Sequence, residues 1–272
     1  MFAFASGFPL IGSMNFFTRL FSKKTPEPGP VYSVPEGHLV YAVGDIHGRF
    51  DLLEKLVGMI EADAAERRAE EDIKHCSLIF LGDYVDRGFQ SKQVLDYLQN
   101  FDPDWADVTC LIGNHEAMML EFIDDPIGSE GWLHFGGVAT LASYGAKVEE
   151  GEQGQTELLA TASKFSDKFP RAHRDFIRSM PASHQIGDYF FVHAGIRPGV
   201  SLRAQDPFDL MSIRQEFTES RQDFGVRVVH GHTGVQNPLI MPGRIAVDTI
   251  AYATGRLTAA ALQDDSVDFI TT

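Results

Sequence analysis

The sequence gathers carboxylates, imidazoles and a guanidinium into short clusters bounded by glycine. Gly44-Asp45-Ile46-His47-Gly48, Gly82-Asp83-Tyr84-Val85-Asp86-Arg87-Gly88 and Gly113-Asn114-His115-Glu116 each follow an apolar run that reads as a buried strand. Two later clusters, Phe191-Val192-His193-Ala194-Gly195 and His230-Gly231-His232-Thr233, repeat the pattern with histidine. Carboxylate oxygen, amide oxygen and imidazole nitrogen are donors for divalent cations. Asp45 and His47, two apart at a strand end, can turn toward one ion. Asp83 ends the next strand and is the candidate to bridge two ions. Asn114, His193 and His232 complete the donor set. Two cations roughly 3.5–4 Å apart can acidify a water and clamp the charge that develops on a phosphoryl group. The chemistry implied is phosphoester hydrolysis. A single Gly-Asp-x-His-Gly could be an Asx turn, and Asn114 alone reads as a helix N-cap. Five clusters in order, each after a strand, are not explained that way.

The elements that must position these residues alternate. Strands are expected over 38–43, 77–81 and 108–112. Helices are expected over 51–68 and 91–99, with another starting at Asn114. This β-α-β-α-β order indicates an α/β layered core. Residues 124–187 read as mostly helical, an insertion able to cap the site. Strand signals return at 189–192, 226–229, 245–247 and 257–262. Thr25-Pro26-Glu27-Pro28-Gly29-Pro30 is a linker, so a flexible tail is expected over 1–30 and one folded domain over 31–272. Within the tail, residues 14–24 carry Phe16, Phe17, Leu20 and Phe21 beside Arg19, Lys23 and Lys24. A tail is preferred there to an interfacial helix, and Met14 is an alternative start.

A net charge of −15 is a poor match to a nucleic-acid binder. It does not exclude an anionic substrate, because bound cations reverse the local field. No apolar run is long enough to span a bilayer. The first residues lack a basic leader, so no secretion signal is expected. Cys76 and Cys110 sit in or beside strand-like runs and read as buried, reduced thiols in a cytoplasmic protein.

With these motifs the chain resembles the phosphoprotein phosphatase family of calcineurin-like metallophosphoesterases, in a variant similar to phage lambda-type enzymes and their bacterial relatives. The resemblance runs from about residue 40 to 262. It implies a central β-sandwich flanked by helices, with the site on loops at the strand ends. It also implies that Asp45, His47 and Asp83 hold the first metal, and Asp83, Asn114, His193 and His232 the second. His115 would protonate the leaving oxygen, Asp86 would orient its imidazole and Arg87 would grip the phosphate. Mn²⁺ is the expected ion, with Fe and Zn²⁺ suited to the same mixed donors. A second phosphate-binding arginine is expected, and Arg214 is the candidate. The chain departs from the pattern at His230, where eukaryotic members carry Arg, and at Ile250, where relatives often carry Gly. Glu116 reads as a carboxylate favouring the helix dipole. The expected activity is Ser/Thr phosphoprotein dephosphorylation, the alternative being hydrolysis of dinucleoside polyphosphates. For the latter, Trp132, His134, Phe135 and Tyr144 of the insertion could stack on a base, although packing inside the cap is the preferred reading. A scaffold with a dead site is disfavoured, since no ligand or acid is missing. Oligomeric state cannot be read from the sequence.

Overall fold

Successive residues of strand β1 (His38–Val43) face two different cores. Leu39, Tyr41 and Val43 join one apolar cluster, and Val40 and Ala42 join another. Side chains of a strand alternate between faces, so a strand apolar at both parities must be covered on both sides. The computed structural model describes residues 30–146 and 154–272 and shows what covers them. The tail and linker expected over 1–30, apart from Pro30, lie outside the described residues.

The other strands are β2 (His75–Phe80), β3 (Asp107–Cys110), β4 (Ser183–Ile186), β5 (Tyr189–Val192), β6 (Arg227–His230), β7 (Leu239–Met241), β8 (Arg244–Ala246), β9 (Thr258–Gln263) and β10 (Ser266–Thr271). They form two five-stranded sheets, ordered β10-β9-β1-β2-β3 and β4-β5-β6-β8-β7. Val40, Ala42, Ile79, Ala260 and Leu262 of the first sheet meet Tyr189, Phe191, Val229 and Ile245 of the second in a shared core. This is the two-sheet sandwich that the resemblance implies. The outer face of the first sheet packs on helices α1 (Phe50–Glu70), α2 (Ser91–Gln99) and α3 (Asn114–Asp124). Leu52, Leu53, Leu56, Val57 and Ile60 form the buried stripe of α1.

The insertion is helical as expected over most of its length. It contains a 3₁₀ turn (Glu130–Phe135) and helices α4 (Gly137–Ser143), α5 (Gln155–Lys168) and α6 (Arg171–Ser179). Its end departs from the expectation, because β4 forms a hairpin with β5. Helices α7 (Pro207–Ser212) and α8 (Gln215–Thr218) cover the second sheet through Leu210, Ile213 and Phe217. A last short helix, α9 (Ala251–Thr254), follows β8.

Both thiols are free and buried. Burial raises Cys76 to about 11 and Cys110 to about 12. At pH 8 about a thousandth or less of either is thiolate, the reactive form. Neither thiol should react measurably with iodoacetamide under native conditions, and both should label in denaturant, as counted by intact mass.

Candidate active site

Three parallel strands in each sheet, β1-β2-β3 and β5-β6-β8, end on the same side of the sandwich. Their carboxyl ends deliver Asp45 and His47, Asp83, Asn114 and His115, His193, His232 and Asp248. Ligands of open parallel sheets collect at such ends. The loops there are conformationally costly. His47, Asp83, Asp86, Arg87, His232 and Ile250 all have positive φ, between 46° and 74°. Non-glycine residues avoid this region, so strong contacts must hold the turns. Gly82, at φ 109°, admits no side chain, since a Cβ there would strike the backbone of Gly113 and the His193 ring.

Glu116 supplies the main restraint. It is fully buried, and its carboxylate accepts N–H bonds from Asp83 at 2.9 Å, Tyr84 at 2.7 Å, Val85 at 3.2 Å and Gly113 at 3.0 Å. One side chain therefore ties the β2 loop to the β3 loop. Glu116 lies in the first helical turn as expected, and these bonds give it a larger structural role than the dipole alone. The reading of Asn114 as a cap is corrected, because Gly113 occupies the N-cap and Asn114 is the first helical residue. The Asn114 amide is thereby left for the site.

The two Asp83 oxygens face different groups. Oδ2 lies 3.5 Å from His47 Nε2, which is 4.0 Å from Asp45. Oδ1 lies 3.3 Å from His193 Nε2, which lies 3.1 Å from Asn114 Oδ1 and 3.2 Å from His232 Nδ1. His47 and His193 use Nδ1 toward the carbonyls of Val85 and Leu81, at 2.8 and 3.0 Å. As Nδ1–H donors, both point Nε2 inward, the atom a metal-binding histidine uses once it carries no proton. His47, Asp83 and His115 form one group spaced to hold a cation, and Asp83, His193 and His232 another.

The electrostatics fit cations as well. Burial, with the charges of Asp248 and Asp83, pushes the Asp45 carboxyl well above its usual range. Burial drives His47 and His232 down to about 3, the neutral form of a ligand. His193 goes the other way. Burial would lower it, but the Asp83 charge and hydrogen bond raise it to about 9. The residues converge as acceptors with too little positive charge among them, which a pair of divalent ions would provide.

The remaining expected residues are placed as follows. His115 Nδ1–H donates to Asp86 Oδ2 at 2.6 Å, and its Nε2 faces the site, 3.8 Å from Asp83. Burial opposes charge on His115, yet Asp83 and Asp86 together raise it above its ordinary value. Arg87 reaches within 3.4 Å of His115 Nε2 through Nη2. Arg214 is exposed at the rim, its Nη1 3.4 Å from the His232 carbonyl. His230 is buried against Phe217 and shares a 3.3 Å contact with Arg244, a packing role.

Three contacts escaped sequence reasoning. Trp132 is buried against Phe122 and Phe165, and its Nε1–H donates to Asp86 at 2.7 Å. Thr140 donates to the other Asp86 oxygen at 2.7 Å. Trp132 is therefore closed to a base, whereas Phe135 is exposed. Asp248 is buried beside Asp45. Its position at the end of an apolar run, in Val247-Asp248-Thr249, was a usable signal.

The sequence model described as calcineurin-like phosphoesterase matches residues 38–270. The chain belongs to the calcineurin-like phosphoesterase family. That family uses a dinuclear metal site. Among curated relatives, a symmetrical bis(5'-nucleosyl)-tetraphosphatase of Methylococcus capsulatus is 30% identical over 163 residues, 58% of this chain and 44% of that protein. The catalytic subunit of serine/threonine-protein phosphatase 6 of Drosophila melanogaster is 29% identical over 126 residues, 43% of this chain and 38% of that protein. The chain thus spans under half the length of these relatives. A crystal structure provisionally named a diadenosine tetraphosphatase superposes with a TM-score of 0.58 over 90% of this chain and 98% of that one, at 19% identity. That likeness shows the calcineurin-like phosphoesterase fold. No helix among the described residues is long and apolar enough to cross a membrane.

Replacing Glu116 with Ala leaves four buried backbone N–H groups without their acceptor. At about 1–3 kcal/mol for each unsatisfied group, a loss of at least ~3 kcal/mol is expected in urea unfolding. Glu116→Gln, which keeps one acceptor oxygen, should lose less.

Proposed function

We propose that this calcineurin-like phosphoesterase hydrolyses dinucleoside polyphosphates in preference to phosphoproteins, using Asp45, His47, Asp83, Asn114, His193 and His232 as metal ligands. The observation that carries the substrate preference is a groove of about 650 Å³ opening beside Asn114. Met118, Leu120, Phe208 and Met211 line it, with Glu121, Asp124 and Arg178 among its polar residues, the last 3.3 Å from Asp124. Its size is that of a small-molecule site. Phe208 is 69% exposed, an aromatic surface on which a base can stack. The name of the Methylococcus relative supports the same substrate class. The Drosophila relative supports the second reading, a Ser/Thr phosphoprotein substrate.

Bound divalent ions, with Mn²⁺ as the proposed pair, would neutralise the phosphoryl oxygens and acidify the attacking water. The protein's own groups do the rest. Arg87 grips the phosphate through its guanidinium fork, whose planar donors match two oxygens. Arg214 at the rim takes a second, outer phosphate. His115 gives the Nε2 proton to the leaving oxygen. Asp86 keeps Nδ1–H in place and stabilises the charged imidazolium before transfer. Trp132 and Thr140 hold Asp86 still while it does so.

Purified Mn²⁺-loaded protein should turn over diadenosine tetraphosphate faster than a phosphoserine or phosphothreonine peptide, with both activities lost in Asp83→Asn. Faster peptide turnover would reverse the substrate assignment. Phe208→Ala should raise KM for the dinucleotide and leave KM for a small aryl phosphate unchanged.

His115→Asn separates acid catalysis from binding. A nucleoside diphosphate leaves as a stabilised anion, whereas serine leaves as an alkoxide that needs a proton. Turnover of the phosphoserine peptide should fall about 10²–10⁴-fold, and that of the dinucleotide by clearly less. Equal losses on both would remove His115 from the acid role.

A further inference from the structure

Arg87 sits among buried carboxylates yet pairs with none of them among the described residues. Its guanidinium lies instead over the ring of Tyr252, 4.5 Å from the centroid. The same ring meets His47 edge-on, with centroids 5.4 Å apart and planes at 89°. Tyr252 thus touches both a phosphate-facing cation and a metal-facing imidazole. We infer that Tyr252 is a positioning residue that holds the Arg87 guanidinium toward the substrate phosphate; this rests on the reading of Arg87 as a phosphate-binding residue.

The chemical logic favours a ring over a carboxylate here. A carboxylate partner would occupy the N–H fork and cancel its charge, leaving less for the phosphate. An aromatic face attracts the cation through its quadrupole. It restrains the guanidinium plane without using any of its five N–H donors. The backbone of Arg87 is fixed independently, since its N–H donates to the Gly136 carbonyl at 3.2 Å. The ring constrains the part that the backbone leaves free.

The chain supports Tyr252 at some cost. Ile250, two residues earlier, is β-branched and takes the left-handed conformation at φ 57°, ψ 53°. Such a residue is an outlier there, and strain of this kind collects at functional sites. Asp248 Oδ1 accepts the Ile250 N–H at 2.8 Å, and Arg49 donates to the Ala251 carbonyl at 3.0 Å. These bonds fix the start of α9, and Tyr252 is its second residue. Ile250 also packs where Gly234 has no side chain, since a Cβ there would collide with it. The departure noted at Ile250 thereby becomes part of the mount for the ring.

The test is a double-mutant cycle read as phosphate affinity of the metal-loaded protein, by calorimetric titration with inorganic phosphate, alongside KM and kcat on an aryl phosphate. Tyr252→Phe keeps the ring and should stay within about twofold of wild type. Tyr252→Leu keeps apolar bulk without a π face and should weaken phosphate about threefold to thirtyfold. In an Arg87→Ala background, Tyr252→Leu should add nothing further, because the ring acts through the arginine. A leucine variant that binds phosphate like wild type overturns the proposal. So does an equal loss with and without Arg87, or a phenylalanine variant as weak as leucine. If Arg87→Ala alone leaves phosphate affinity intact, the reading of Arg87 fails first and the role of Tyr252 falls with it. Tyr252 is 37% exposed, so the variants should fold, and thermal unfolding verifies this.

Discussion

Four backbone N–H groups converge on the Glu116 carboxylate, and the rest of the site depends on that convergence. The loop after β2 must turn sharply enough to send both Asp83 oxygens and the Asp86 side chain into one space. It does so through three left-handed residues, Asp83, Asp86 and Arg87. Each is unfavourable alone. A buried acceptor that can be satisfied only in this conformation offsets the strain, since an unpaired buried N–H would cost more. The tie to Gly113 then sets Asn114 and His115 in register with Asp83. Loops from two strands behave as one rigid body, which a bridging carboxylate requires.

Around that frame the charges are arranged in layers. The inner layer is acidic, with Asp45, Asp83 and Asp248 buried together. Imidazoles surround it, His47 and His193 aimed by backbone carbonyls behind their rings and His115 by the Asp86 carboxylate. The outer layer is cationic and aromatic, with Arg87 over the Tyr252 ring and Arg214 at the rim. A molecule with a net charge of −15 can in this way present a local field that accepts phosphate.

Much of the site was legible in the sequence because its chemistry sits at strand ends marked by glycine. The order β-α-β-α-β, helix 91–99 and strand 38–43 could be read from apolar periodicity, and the calcineurin-like family from the motifs. Three strands were left unread, among them Ser266–Thr271, whose Val267 and Phe269 alternate with polar residues. Ser183–Ile186 lacks an apolar face of any length, and Leu239–Met241 has three residues. What the sequence hid were partners distant along the chain. Trp132 is 46 residues from Asp86, and periodicity cannot say that an indole will turn its N–H toward a carboxylate. Asn114 read as a cap because its type suits one. Only the Glu116 clamp, visible in three dimensions, frees its amide. Motifs likewise do not reach the groove beside Asn114, whose walls come from α3, α6 and α7.

The contacts of Trp132 and Thr140 with Asp86 bear on how such a scaffold can diversify. An insertion between two sheet strands looks like an interchangeable module, free to be traded for another recognition surface. Here its first third also braces the hydrogen-bonded pair of Asp86 and His115. A recombined version that replaced residues 124–187 wholesale would strip two donors from a buried carboxylate and loosen the imidazole it steers. Divergence of this architecture is therefore channelled. The stretch from Trp132 to Thr140 is tied to Asp86 by two hydrogen bonds, and Phe165 of α5 packs behind the indole, so these residues must change together.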